Sequence, residues 1–452
     1  MARFSDLPNE ITRLILRFVQ LEDLENFAQT SKIVSIVAKP FLEEHRRLIR
    51  RYNKFCSEAD SGLFRDGITC GPIPALLREV LANPRIARYV RHIRLDTLVD
   101  GSDPSPLDEV DSDEAFELYS QSVDLFTDAA SQSELIACKP AAYETMLEEG
   151  SEAFLLAILL PLLPNLTSMS IEWATEEQSC FHEVIQRASE VDTTAFGNLK
   201  NVCLISQASE TDIWLRDIWQ FTALPSLRLL TAYGVSDDRD WLYSPLPRKS
   251  SHTTELRLLR CALASKSLYN FLQPFDNLES FVFENTLPPD RPFDPFFVRS
   301  AFSSQARTTL SKLTILANNV DWEDSFMGSL HDFEVLREVH TEWSFLVPWP
   351  YRWESKMWPD SLRTVKLRDM TSRQADHYGS FIKGVAAAQK AASLRLERMT
   401  LFVSSVGPPI RCVQGGLRPR VHELEQTCKD AGISLTIGIS MNGSQGLDAD
   451  LL

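Results

Sequence analysis

The sequence predicts an α/β protein in which a helical N-terminal module precedes a long solenoid of parallel strands alternating with helices. Three observations carry that prediction. Apolar residues in the first forty positions recur at helical spacing. From residue 89 onward a short phrase, apolar-x-x-apolar-x-apolar, recurs, and from residue 166 it returns at steps of 25 to 34 residues. The chain has 452 residues, 44% of them hydrophobic, more than one compact core usually organises, whereas a repeat array grows along one axis without that limit.

The helical module comes first. Residues 7–18 read LPNEITRLILRF. Pro8 suits a first helical turn, where its missing N–H is not needed. Ile11, Leu14, Ile15 and Phe18 then form one helical stripe. A second short helix has Glu22 and Asp23 at its positive end and buries Leu24, Phe27 and Ala28. Thr30 and Ser31 break and recap the chain. A third helix carries Ile33, Ile36 and Val37 and is bent or ended at Pro40. Three helices in about forty residues have more apolar surface than they can cover themselves. The surplus docks on the next domain or on a partner.

The phrase then appears as Val90-Ile93-Leu95, Leu166-Met169-Ile171, Leu199-Val202-Leu204 and Leu227-Leu230-Ala232. It continues as Thr253-Leu256-Leu258, Leu278-Phe281-Phe283, Leu310-Leu313-Ile315, Leu336-Val339-Thr341, Leu362-Val365-Leu367 and Leu396-Met399-Leu401. A last copy holds Leu435 and Ile437. The alternating final positions fit a short strand with one buried face. Helices are expected between copies, as at 211–221, 265–272 and 420–431, the last stopped by Gly432. A unit of one strand and one helix cannot bury its own core, so the units stack.

Charge and cysteines narrow the function classes. The 62 acidic residues outnumber the 46 basic ones, for a net charge of −16, which disfavours a nucleic-acid binder. Twelve carboxylates lie between Asp96 and Ala137, a stretch without Lys or Arg. Its segment 100–114 reads as an acidic mobile insertion, in which Ser105 and Ser112 are candidate phosphorylation sites. The apolar run from Ala153 to Pro164 is too short to span a bilayer and is read as a buried helix end. No signal-peptide pattern opens the chain, and the eight scattered cysteines suggest reduced, buried thiols, hence a cytoplasmic or nuclear protein.

Phosphate loops, His-Glu-x-x-His and Gly-x-Ser-x-Gly do not occur, and Cys180-Phe-His182 stands without a second ligand pair. The expectation is a non-catalytic protein with no cofactor and no metal site.

Leu7-Pro8, Glu10-Ile11, Ile15, Phe18 or Val19, Asp23-Leu24, Phe27, Ser31-Lys32, Val37 and Pro40 together resemble an F-box. One departure is Val34, where many F-boxes have Trp. The resemblance implies binding of the Skp adaptor, and through it cullin, in a Skp–cullin–F-box ubiquitin ligase. Leu7, Pro8, Ile11, Leu14, Ile15, Leu24 and Lys32 are the expected adaptor contacts. The repeated phrase resembles leucine-rich repeats, which implies parallel strands on a concave face and helices on a convex one. The family's Asn ladder is kept only at Asn318. The combination, with a helical linker carrying Leu81, Pro84, Ala87, Tyr89 and Val90, looks like many fungal proteins.

The expected organisation is an F-box at 1–48, a helical linker at 49–88, a repeat solenoid at 89–440 and a tail at 441–452. Strand residues that miss the core include Glu172, Tyr233, Arg257, Glu284, Lys312, Glu338, His340, Glu342, Lys366, Arg368 and Arg398. They read either as cross-strand charge pairs on a solvated sheet or as a target-binding face. The aromatic stretch with Trp343, Trp349, Trp353 and Trp358 reads either as a folded-back loop or as interface anchors. Tyr233, Arg257, Glu284, Glu342, Trp343, Trp349, Trp353 and Arg368 are the candidate target contacts. The expected partners are the adaptor complex and one unidentified target protein, with neither nucleic acid nor membrane. Two rivals stay open: an adaptor-bound scaffold that delivers no substrate, and an enzyme with a site hidden in the repeats.

Overall fold

Strand follows crossover follows parallel strand through most of the computed structural model. It describes residues 7–57, 69–70, 73–95, 121–136, 145–147, 151–173, 179–191, 194–206, 213–237, 251–286, 293–317, 325–347, 357–370, 375–391, 394–404 and 422–440. The chain divides into two units, Met1–Gln207 and Ala208–Leu452.

The first unit opens with helices α1 (Asn9–Phe18), α2 (Leu24–Ala28) and α3 (Lys32–Tyr52). Strand β1 (Lys54–Cys56) follows directly. Next come β2 (Thr69–Cys70), α4 (Ile73–Ala82), β3 (His92–Leu95), β4 (Ser168–Trp173) and β5 (Asn201–Ser206). These strands lie in the order β2-β1-β3-β4-β5, and each is parallel to its neighbours. The run from Ala153 to Leu160 is buried throughout, as a helix at Glu152–Leu159 that continues into a 3-10 turn. A helix apolar all round belongs in a core.

In the second unit, β6 (Ile213–Trp214) and β8 (Val235–Ser236) form a small parallel pair. The main sheet of this unit holds β7 (Leu229–Tyr233), β9 (Glu255–Cys261), β10 (Ser280–Asn285) and β11 (Lys312–Ala317). It continues with β12 (Glu338–Glu342), β13 (Thr364–Met370), β14 (Arg398–Ser404) and β15 (Ser434–Ser440). Each is parallel to its neighbour in chain order, a solenoid-like progression.

The sequence phrase explains the register. Leu230, Leu256, Phe281, Leu313, Val339, Val365, Met399 and Leu435 sit opposite one another across the eight strands. In the first unit Phe55, Ile93, Met169 and Val202 do the same. Every phrase position from Val90 to Leu401 is buried, while Leu435 and Ile437 are half-exposed. Helices at Ser265–Leu272, Pro295–Gln305 and Ala375–Lys390 supply crossovers whose buried residues extend that core.

Backbone carbonyls tie the start of each strand to the next. The carbonyl of Arg228 accepts from Thr254 N–H and Glu255 N–H. That of Thr254 accepts from Glu279 and Ser280, and that of Glu279 from Ser311 and Lys312. The pattern recurs at Ser311, Arg337 and Arg363. One carbonyl per unit thus satisfies two donors of the next.

Three local expectations are corrected. The helix expected from residue 211 begins at Leu215, because the Trp214 N–H donates to Asp217 Oδ2 at 3.2 Å and fixes the start, leaving Ile213 and Trp214 as a strand. Pro8 is the N-cap of α1 rather than a helical residue; its carbonyl accepts from Thr12 N–H at 3.0 Å. Helix α3 does not end at Pro40 but continues to Tyr52. An interior proline costs about 3 kcal/mol or more. Docking of the later turns, which bury His45, Leu48 and Tyr52, offsets that cost.

Candidate functional site

The three N-terminal helices hold themselves together with few residues. Leu16, Leu24, Ala28, Val37 and Ala38 form the buried cluster, with Val19, Phe27, Phe41 and Leu42 packed against it. On α1 the inward positions are Thr12 and Leu16. The stripe predicted from sequence faces the other way. Ile11 and Leu14 are exposed and Phe18 is 80% exposed. Helix α3 repeats this division. Its start is fixed by Ser31, whose Oγ accepts from Val34 N–H at 3.1 Å. Val34, Val37 and Ala38 turn inward, whereas Ile33 is exposed and Ile36 is 74% exposed.

Both helices therefore carry a second apolar stripe that the fold does not use. Contiguous apolar surface on a soluble protein marks an interaction site. Of the expected adaptor contacts, Ile11, Leu14, Pro8 and Lys32 are exposed, and Leu7 and Ile15 are half-buried. Leu24 is corrected: at 1% exposure it belongs to the cluster that joins the helices. Phe18, Ile33 and Ile36 were not among the expected contacts. Their signal was legible as i, i+3, i+7 on α1 and i, i+3 on α3.

The same helix anchors this surface to the first strands. His45 Nδ1 lies 3.0 Å from Tyr89 Oη in a buried contact. Arg51 pairs with Glu79 on α4 at 2.6 Å. Burial first, and the hydrogen bond to Glu79 second, push the Tyr52 phenol up to about 12. Beyond α3 the Asn53 carbonyl accepts from Arg91 N–H and His92 N–H, which starts the carbonyl ladder of this unit.

The second surface is the outward face of the second unit's sheet. Arg257, Val282, Thr314, His340, Lys366 and Thr400 form one row across β9 to β14. Glu255, Ser280, Lys312, Glu338, Thr364 and Arg398 form the row before it. A groove of 430 Å³ runs over β9 to β13 between these side chains, with Glu279 at its margin. Two ion pairs cross it: Arg257 to Glu255 at 3.5 Å, and Lys312 to Glu338 at 3.6 Å. The solvated-sheet reading thus accounts for these four charges, and such exposed pairs contribute at most about 1 kcal/mol. His340 differs. Burial first, then Arg368 and Lys366, push its imidazole down to about 3, so it is neutral.

Tyr233, Arg257, Glu284 and Arg368 are half-buried on this unit. Two expected target contacts are corrected. Glu342 is 4% exposed, and its Oε1 accepts from the Ala317 N–H at 3.3 Å, so it caps the end of β11. Trp343 is fully buried and packs edge-on against Phe381 at 4.7 Å. Strand β12 ends at Glu342 and a short helix begins at Trp343, so strand alternation no longer says where these side chains point. Trp358 is likewise buried, 5.8 Å from Phe381. Trp349 and Trp353 lie outside the described residues, as do Ser105 and Ser112.

Among the described residues no three His, Cys, Asp or Glu side chains gather as a metal site, and no helix is long and apolar enough to cross a membrane. Cys180 Sγ packs 3.3 Å from the Met146 sulfur.

With that geometry in place, comparison with known proteins adds one match. A family model described as the F-box domain matches residues 4–39, the span that contains α1, α2 and the first turns of α3. An F-box domain implies binding of a Skp adaptor. No curated protein matches the chain.

Proposed function

We propose that this chain is the substrate-recognition subunit of a Skp–cullin–F-box ubiquitin ligase. The apolar stripes of α1 and α3 hold the adaptor. The outward face of the parallel sheet, read here as a degenerate leucine-rich repeat, holds a target protein. The subunit forms no covalent bond. It raises the effective concentration of a target lysine beside the charged ubiquitin carrier. Such a complex works in the cytoplasm or nucleus.

The observation that carries the reading is the exposure of Phe18 and Ile36 inside the F-box match. A module that leaves large apolar side chains in water while closing its own core on Leu16 and Leu24 is built for a partner. The contact set supported by the geometry is Pro8, Ile11, Leu14, Phe18, Lys32, Ile33 and Ile36, with Leu7 and Ile15 at its edge.

The test is affinity purification of the tagged chain from its native cells with the ligase inactivated. Recovery of the adaptor, cullin and a protein that accumulates when the chain is deleted supports the reading. Recovery of the adaptor without cullin or any accumulating protein would replace it with the non-delivering scaffold.

A further inference from the structure

The two ion pairs leave the groove over β9 to β13 with an uneven charge. Arg257 is matched by Glu255, and Lys312 by Glu338. Among the described residues Glu279 at one margin and Lys366 on β13 form no ion pair, and Arg368, two residues beyond Lys366 and outside the groove's lining, stands across from the buried Glu342. His340 stands beside Lys366 in the adjoining strand, and its buried Nε2 has no hydrogen-bond partner among the described residues. A neutral imidazole has one N–H donor and one acceptor nitrogen, and it adds no further charge beside two cations.

A donor and two cations on neighbouring strands fit an oxyanion, a carboxylate or a phosphate. Glu279 fits a cation. The spacing sets the length of what carries both. Three inter-strand steps and three residues along the strand separate Glu279 from Lys366, on the order of 17 Å, which an extended chain covers in about five residues. A nucleic-acid strand is disfavoured because Glu255, Glu279 and Glu338 line the same groove and repel a polyanion.

We propose that this groove binds an extended peptide whose oxyanion docks on His340, Lys366 and Arg368 and whose basic side chain, about five residues away, docks on Glu279. This rests on the reading of the sheet face as the target surface and gives that target a motif of two opposite charges at a set distance.

The experiment uses the full chain with its adaptor, passed over immobilised peptides of Gly and Ser. Each peptide carries one Lys and either one Glu or one phosphoserine, at every separation up to about eight residues in both orders. Capture should peak near five residues' separation, and the two acidic arms distinguish a carboxylate motif from a phosphorylated one. Lys366→Glu with Arg368→Glu should lower capture about tenfold or more. Glu279→Gln should abolish the dependence on Lys while leaving the dependence on the acid. Lys366→Gln with Arg368→Gln serves if the reversal disturbs folding, judged by urea unfolding. Capture that ignores separation, or that survives these changes, overturns the inference. If targets are still trapped in cells while no peptide is selected, the groove assignment fails alone. If no target is trapped at all, the receptor reading fails with it.

Discussion

Replacing Phe18 by Ala, beside a second variant with Leu24 replaced by Ala, separates the residues that face a partner from those that close the module. Phe18 is 80% exposed, so its ring contributes little to the fold, and the loss of stability should stay within about 0.5 kcal/mol. If the adaptor covers that ring, its burial contributes about 1.5–3 kcal/mol to binding. The dissociation constant should then rise about 10- to 150-fold. Leu24 is the opposite case. At 1% exposure within the helical cluster, its truncation should cost about 2–5 kcal/mol of stability. Titration calorimetry of the purified chain with purified Skp adaptor gives the affinity, and urea unfolding gives the stability. An affinity for Phe18→Ala within about twofold of the native chain, with unchanged unfolding, refutes the reasoning.

Other consequences follow from the same structure. Trp343→Ala should destabilise the chain by about 3–5 kcal/mol, because the indole is fully buried against Phe381; an unchanged urea midpoint would restore it as a surface anchor. Acid should weaken the fold through His340. The unfolded imidazole takes up a proton near 6.5 and the folded one only near 3, so the unfolded state binds more protons between those values and stability falls as pH falls. The slope contributed there approaches about 1.4 kcal/mol per pH unit, and His340→Gln should flatten it; identical acid profiles for the two chains would contradict the burial. Cys261 is fully buried, and burial raises its thiol, so a thiol reagent should modify it only after unfolding, as mass spectrometry of labelled peptides would read.

The repeat was legible because one physical pattern fixes it. A phrase whose last positions alternate can bury one face only as a strand, and the same place in that phrase puts Leu256, Phe281, Leu313 and Val339 into one register although the copies are unequally spaced. The stacking device was not legible. It uses backbone carbonyls such as those of Thr254 and Ser311, which leave no trace in side-chain identity.

The helical module was legible in type but not in facing. Ile11, Leu14 and Phe18 share a stripe, yet spacing alone does not say whether a stripe meets its own core or a partner. Leu16 and Thr12, on the other side of α1, took the inner place. Leu24 is buried as its helix pattern expects, and only the adaptor contact that the resemblance implied for it conflicts with that burial. Glu342 and Trp343 failed because their strand ends there, and periodicity has no force past the end of its element. Pro40 was expected to stop or bend a helix; the contacts of His45 and Arg51, far along the chain from their partners, keep α3 going.

In the proposed complex the Skp adaptor covers the side chains that the N-terminal helices leave in water. Hydroxyl-radical footprinting of the full chain, alone and with saturating adaptor, reads that coverage residue by residue. Phe18 and Ile36, strongly modified in the free chain, should lose their modification in the complex, while Phe296, exposed on the helix Pro295–Gln305, should be unchanged. Phe18 and Ile36 modified as strongly in the complex as in the free chain would contradict that coverage.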